Sequence, residues 1–389
     1  MTIDSLSNFV DQLLTNRILA PEQMNVVTKE LLSQNRSARA LAKELMQRGW
    51  LTVYQVNQLF QGNARDLVLG PYRLMDMLGE GGVSQVYKAW HSVKKCVVAL
   101  KVVRKEFVEN PDIVRQFQQE GRTIASLQHP NIITTFDVDQ IGNTHFLAME
   151  FIEGIDLAKL VRLSGPLPVP LACDYVRQAA LGLQHAHERC LVHRDIKPAN
   201  LFLITPPESK IDRTPIPGMG DAKKVPPVGG VIKILDWGLA DMRLPMATGQ
   251  QEPANTLQRE ETIGTADYLA PEQAMDATKV DIRADLYSLG CAFYYLLTGQ
   301  PPFPGGSLLQ KLLKHREADP KPLTDFRIDV PPALPGVVLK MMAKKPEDRF
   351  RTPASLAAAL APLCKGGANR STAQTMILRP GALKEGGEL

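Results

Sequence analysis

The sequence predicts a two-lobed α+β domain, a β-rich small lobe before a larger helical lobe, preceded by a small all-α module. Three observations carry this. Helical periodicity runs through residues 1–65, strand-forming residues dominate from Pro71 to Val103, and helical periodicity returns after about Asp156. A strand-rich stretch followed by a run of helices is the α+β pattern.

Within residues 1–65, Leu6, Phe9, Val10, Leu13 and Leu14 recur at helical spacing, as do Met24, Val27 and Leu31, then Leu41, Leu45 and Met46. Pro21 suits a first helical turn, and Thr52 with Gln55 forms a capping-box pattern. Leu13-Leu14 through Leu19, Gln23 and Val27 matches Leu45-Met46 through Leu51, Gln55 and Leu59 at an offset of about 32 residues. Two copies predict a compact four-helix module. Its reading stays open between an extension packed on the small lobe and an interaction unit for self-association or a regulator.

Three strands follow, Tyr72–Leu78, Val83–Ala89 and Val97–Val103, separated by Gly or polar turns. Residues 70–363 form the main domain. Residues 205–230, rich in Pro, Gly and Lys, read as a flexible insertion, and residues 365–389 as a disordered tail.

Composition narrows the function. The 389 residues are 44% hydrophobic and 22% charged, which suits a globular chain with a large core. A net charge of +4 argues against a dedicated nucleic-acid binder. The five cysteines are scattered and make no metal or disulfide pattern. No apolar run reaches membrane-spanning length, Leu289–Leu297 being the longest candidate, and no signal-peptide pattern opens the chain. The expectation is a cytoplasmic protein without membrane or nucleic-acid partners.

The chemistry lies in a series of short motifs. Leu78-Gly79-Glu80-Gly81-Gly82-Val83-Ser84-Gln85-Val86 falls between two strands, where glycines let backbone N–H groups approach phosphates. Alone this is a weak signal. Lys101 stands in the apolar strand Val98-Ala99-Leu100-Lys101-Val102, as a fixed ammonium for phosphate would; Glu120, on a helical stretch with Ile124 and Leu127, is its candidate carboxylate. His193-Arg194-Asp195-Ile196-Lys197-Pro198-Ala199-Asn200 is decisive. Asp195 can take the proton of an attacking hydroxyl, Lys197 can offset charge on a moving phosphoryl group, and the Asn200 amide oxygen can ligate magnesium. The apolar strand Val231–Leu235 ends in Asp236-Trp237-Gly238, and Gly264-Thr265-Ala266-Asp267-Tyr268-Leu269-Ala270-Pro271-Glu272 follows.

In this order the motifs resemble the protein kinase family, in particular the bacterial eukaryotic-like (Hanks-type) serine/threonine kinases, over roughly residues 70–363. The resemblance implies the protein kinase fold, ATP and Mg2+ as cofactors, and protein Ser/Thr hydroxyls as acceptors. It implies Asp195 as catalytic base, Lys197 and Thr265 as groups fixing phosphate and hydroxyl, Lys101 paired with Glu120, and Asn200 and Asp236 as metal ligands. Nucleotide would meet Leu78, Gly79, Glu80, Gly81, Gly82, Val83, Ser84, Val86, Ala99 and the hinge residues Met149, Glu150 and Ile152. Asp285 would brace the catalytic loop, and Glu272 would pair with Arg349.

Three departures stand out. Ser84 replaces a loop glycine, Trp237 replaces the usual Phe, and Asn200 and Asp236 lie about 15 residues further apart than the family pattern, an extra length that matches the Pro/Gly/Lys-rich stretch at 205–230. Such a loop between two paired strands adds little closure entropy. Arg194 would dock an activation-loop phosphate, with Thr248, Thr256 and Thr262 on offer. Thr262 is the expected autophosphorylation site because it precedes Gly264-Thr265. A pseudokinase scaffold and a small-molecule kinase are the competing readings. The intact Lys101, Asp195, Asn200 and Asp236 oppose the first, and the Ala270-Pro271-Glu272 segment opposes the second.

Overall fold

The computed structural model describes residues 5–34, 37–204, 230–237, 266–275 and 280–364, apart from the Glu120 side chain. The predicted insertion 205–230 lies outside the described residues except for Gly230, and the tail 365–389 lies wholly outside them.

The amino-terminal segment folds as helices α1 (Leu6–Thr15), α2 (Pro21–Val26), α3 (Leu32–Gln34), α4 (Ala38–Gln47) and α5 (Val53–Phe60). Four helices were expected. The second continues through a π-helical turn, Val27–Leu31, into α3. The repeat is real at atomic detail. Helices α1 and α4 open 32 residues apart on Ser5 and Ser37, whose hydroxyls accept from Asn8 N and Ala40 N. Helices α2 and α5 open 32 residues apart, and Gln23 and Gln55 each accept from the backbone N–H three residues earlier. Phe9 and Leu41, Leu13 and Leu45, and Val27 and Leu59 are matched pairs, all buried.

The copies differ at one turn. Helix α4 ends on Gly49 at φ +68°, whereas α1 ends on Arg17 at φ +50°. Glycine enters this left-handed region without strain; an L side chain does not.

A six-stranded antiparallel sheet follows, ordered β1-β2-β3-β4-β6-β5. Its strands are β1 (Val68–Leu69), β2 (Tyr72–Glu80), β3 (Ser84–His91), β4 (Cys96–Val103), β5 (Thr135–Ile141) and β6 (Thr144–Glu150). The three predicted strands all form, each longer than the periodicity indicated. Helix α6 (Pro111–Ala125), capped by Asn110, packs beside β5 and β6, and Phe117 is fully buried with Val103 and Leu147.

One apolar cluster joins the helical segment to this sheet. Phe9, Leu13, Leu41, Leu45 and Leu59 share it with Leu74, Val98, Leu100 and Phe146. Polar ties reinforce it: Gln55 Nε2 donates to the Leu74 carbonyl at 2.8 Å, and the Thr52 hydroxyl donates to the Met75 carbonyl. The apolar stripes of the helices are therefore buried both among themselves and against the small lobe.

The large lobe is built on α7 (Leu157–Ser164), α8 (Val169–His187), α9 (Pro271–Met275), α10 (Ile282–Thr298), α11 (Leu308–Glu317), α12 (Leu334–Met341) and α13 (Pro353–Cys364). Its apolar core is a second cluster centred on α8 and α10, the latter buried along nearly its whole length. A small sheet of β7 (Gly154–Asp156), β8 (Leu201–Ile204) and β9 (Val231–Ile234) lies at the junction of the lobes. No helix among the described residues is long and apolar enough to cross a membrane.

Two outcomes are expected. Arg17→Gly relieves a left-handed side chain and should stabilise the protein by about 0.5–1 kcal/mol, read as a higher midpoint in denaturant. Removing residues 1–65 uncovers Leu74, Val98 and Leu100 and should give a chain that aggregates or melts lower; thermal unfolding equal to that of the full chain would refute the shared core.

Candidate active site

Small-lobe strands set the upper wall of a cleft. The hairpin between β2 and β3 closes with Gly81 N donating to the Ser84 carbonyl at 2.8 Å. Nothing lies within 4 Å of where a Cβ on Gly79 or Gly82 would stand, so these glycines leave open space. Glu80 accepts from Arg104 and from Gln85, while Arg104 N donates to the Val83 carbonyl. The hairpin is thus tethered at its tip. Ser84, where the family pattern has glycine, is buried opposite Val103. Leu78 is exposed, and Gly81, Gly82, Val83 and Val86 are half-buried.

On β4, Ala99 lies between Lys88 and Met149, and Lys101 between Val86 and Leu147. Both are buried. The Lys101 ammonium donates to Asp236 Oδ1 at 2.7 Å across the cleft. Glu120 lies on α6; the side chain that would test its pairing with Lys101 is outside the described residues.

The lower wall is the loop after α8. Asp285, at the start of α10, has no exposure to water, and its two oxygens accept from the backbone N–H groups of His193 and Arg194, each at 2.7 Å. Burial pushes its pKa up to about 7 against the pull of these two donors. The His193 ring is fixed as one tautomer. Nε2 faces the Leu235 carbonyl at 2.8 Å, so it carries the proton; Nδ1 accepts from Asp195 N at 3.2 Å, so it is bare. Burial lowers the His193 pKa and keeps the ring neutral. Arg194 sits at φ +67° and Asp236 at φ +56°, side chains held in the left-handed region where surrounding bonds over-determine the backbone.

This frame presents the reactive groups. Asp195 Oδ2 meets Lys197 Nζ at 3.0 Å and Asn200 Nδ2 at 3.1 Å, and Asn200 Nδ2 also donates to the Asp195 carbonyl. Two acceptors therefore fix the Asn200 amide, and its oxygen is the atom available to a cation. Leu235 N donates to the Asn200 carbonyl at 2.9 Å, which sets Asp236 beside it. The donor set, one carboxylate and one amide oxygen, fits an ion that takes its remaining ligands from phosphate and water. Trp237 is buried with its ring 4.7 Å from that of His193 at a tilt of 55°, so the larger aromatic packs against the histidine at an angle. Gly238, Thr262 and Thr265, with Thr248 and Thr256, lie outside the described residues.

Glu272, on α9, meets the fully buried Arg349 through two hydrogen bonds of 2.6 and 2.8 Å. Arg349 also donates to the carbonyls of Arg283, Ala343 and Lys344 and stacks on Tyr287. At the hinge, Met149, Glu150 and Ile152 are half-buried at the end of β6 and just beyond.

Sequence reasoning missed two ties. Glu150 Oε1 accepts from Lys233 Nζ at 2.6 Å and from Thr134 N at 2.7 Å, joining the hinge to β9. Lys233 sits in an apolar strand just as Lys101 does, and the same signal could have found it. Lys311 pairs with Asp267 at 2.5 Å, both largely buried; a lysine between Gln310 and Leu312 on a polar helix gives no such warning.

A small antiparallel lobe with a buried lysine, over a helical lobe with a braced carboxylate loop, defines a kinase-type fold. The chain belongs to the protein kinase domain family, whose model matches residues 72–359. It is 34% identical over 293 residues to the serine/threonine-protein kinase PknB of Mycolicibacterium smegmatis, covering 74% of this chain and 42% of that one. It is 34% identical over 290 residues to PknE of Mycobacterium bovis, covering 75% and 45%. The chain thus spans about two fifths of the length of these curated relatives. Among solved structures it resembles the Mycobacterium tuberculosis PknI kinase domain at 26% identity and a TM-score of 0.54, covering 76% of this chain and 97% of that one.

Replacing Arg349 by Ala leaves Glu272 and three half-buried carbonyls without their donor. The expected loss is on the order of 3 kcal/mol in denaturant unfolding, with Glu272→Gln milder.

Proposed function

We propose that this chain is a serine/threonine protein kinase that moves the γ-phosphoryl group of ATP to a protein hydroxyl. The observation that carries the reading is the single cleft in which Lys101 meets Asp236 while Lys197 and Asn200 hold Asp195. Asp195 takes the proton of the attacking hydroxyl as its oxygen bonds to phosphorus and the bond to the β-phosphate oxygen breaks, releasing ADP. Lys197, 3.0 Å from Asp195, offsets the charge that spreads over the transferring group. Lys101 exchanges its Asp236 partner for the nucleotide phosphates, with Glu120 as the carboxylate that then steadies it. Asn200 and Asp236 would hold magnesium, which when bound neutralises the phosphate oxygens. The open hairpin over Gly79, Gly81 and Gly82 covers the phosphates, and the backbone of Met149 to Ile152 takes the adenine.

Arg194 receives the phosphate of an autophosphorylated activation loop, with Thr262 as the site. Residues 1–65 act first as a built-in support of the small lobe, and self-association or regulator binding would use their outward faces.

The test is γ-phosphate transfer to the protein itself and to a generic basic protein, comparing wild type with Asp195→Asn and Asp236→Asn. Both variants should lose roughly 10²–10⁴-fold in rate, and mapping should place phosphate on Thr262. A folded wild type that binds ATP yet transfers nothing would favour the scaffold reading.

A further inference from the structure

A cavity of about 480 Å³ lies where the helical segment meets the small lobe, away from the cleft. Three arginines from three elements line it: Arg17 from the turn after α1, Arg65 from the 3₁₀ turn Ala64–Leu67, and Arg73 from β2. Thr15, Asn16 and Ser92 add polar groups, and no carboxylate is among the lining residues. Among the described residues, the three guanidinium groups have no hydrogen-bond or ion-pair partner. Two other arginines of this region are matched: Arg48 pairs with Glu44 and Arg104 with Glu80.

The repeat supplies a second, independent observation. The turn after α4 uses glycine where left-handed backbone is needed, yet the same turn after α1 uses Arg17 at φ +50°. A side chain placed at a strained position points to a use for that side chain. Arg48, the neighbour of Gly49, lies 5.4 Å over Trp50 and is paired with Glu44, so the second copy offers no such pocket cation.

We propose that this cavity is a docking site for a phosphorylated serine or threonine side chain on a protein segment. Guanidinium forks recognise phosphate dianions through paired charge-assisted hydrogen bonds, and three arginines on one cavity supply several such forks. The volume exceeds what a bare anion fills and suits a phosphorylated side chain with its neighbouring backbone. The site joins helical segment to kinase lobe, so an occupant would clamp one to the other. That the chain itself makes such ligands rests on the transfer reading above; the binding does not, and a synthetic ligand tests it alone.

The experiment measures fluorescence anisotropy of a labelled phosphothreonine peptide with the full chain, without nucleotide. The unphosphorylated peptide and inorganic phosphate, the latter as competitor, are the comparison arms. The phosphopeptide should bind at least about tenfold tighter than its unphosphorylated twin, and Arg73→Gln and Arg17→Gly should each weaken it about tenfold. Arg17→Gly is the sharper variant, because it should stabilise the fold while it loses the ligand. Arg39→Gln, on an exposed face of α4 outside the cavity, should bind as wild type does. Equal binding of the two peptides, or undiminished binding by Arg17→Gly and Arg73→Gln, overturns the proposal. Competition by inorganic phosphate at the phosphopeptide's own affinity also overturns it, leaving a free-anion site.

Discussion

The cleft depends on one buried carboxylate. Asp285 is fully buried and accepts two consecutive backbone N–H groups, those of His193 and Arg194. A buried ionisable group is costly unless its hydrogen bonds are complete. Here they are what turns the loop into its left-handed kink at Arg194. The rest follows in series. The turned loop aims His193 at the Leu235 carbonyl, Leu235 ties to Asn200, and the next residue, Asp236, reaches up to Lys101. A helix of one lobe and a strand of the other are thus joined through hydrogen bonds and the Leu235–Asp236 peptide, and Asn200, Asp236 and Lys101 lie along that line.

Much of this was legible in the sequence because the chemistry is local. Asp195, Lys197 and Asn200 are neighbours in the chain, and short spacing nearly fixes their geometry. The strands around Lys101 were legible from their β-branched alternation, and the capping box at Thr52 from two residues. The long-range closures were not. That Asp285 faces His193 across 92 residues, or that Arg349 finds Glu272 across 77, follows here from resemblance and not from periodicity. The Glu150–Lys233 tie is missed even so: Glu150 reads only as a hinge residue, and Lys233, a lysine in an apolar strand, is passed over.

The helical segment was the least legible part. Its repeat could be counted, and the offset of 32 holds to the residue in helix starts and caps. Periodicity states that a face is apolar, not what covers it. The answer is divided: α1 packs on α4 and α5, α5 packs on β2, and the apolar residues of both copies share one cluster with Leu74, Val98 and Leu100 of the sheet. The family match begins at residue 72, so the boundary of sequence similarity falls inside a continuous core.

That continuity separates the thermodynamic units of the chain from its sequence units. One apolar cluster runs from Phe9 to Ala148 and a distinct one is centred on α8 and α10. Cooperativity follows contiguous burial. Calorimetry of this protein would therefore resolve, if it resolves two transitions, a small-lobe transition that carries the helical segment with it. The seam between the transitions would lie at the hinge beyond Glu150, not near residue 70 where the kinase homology starts.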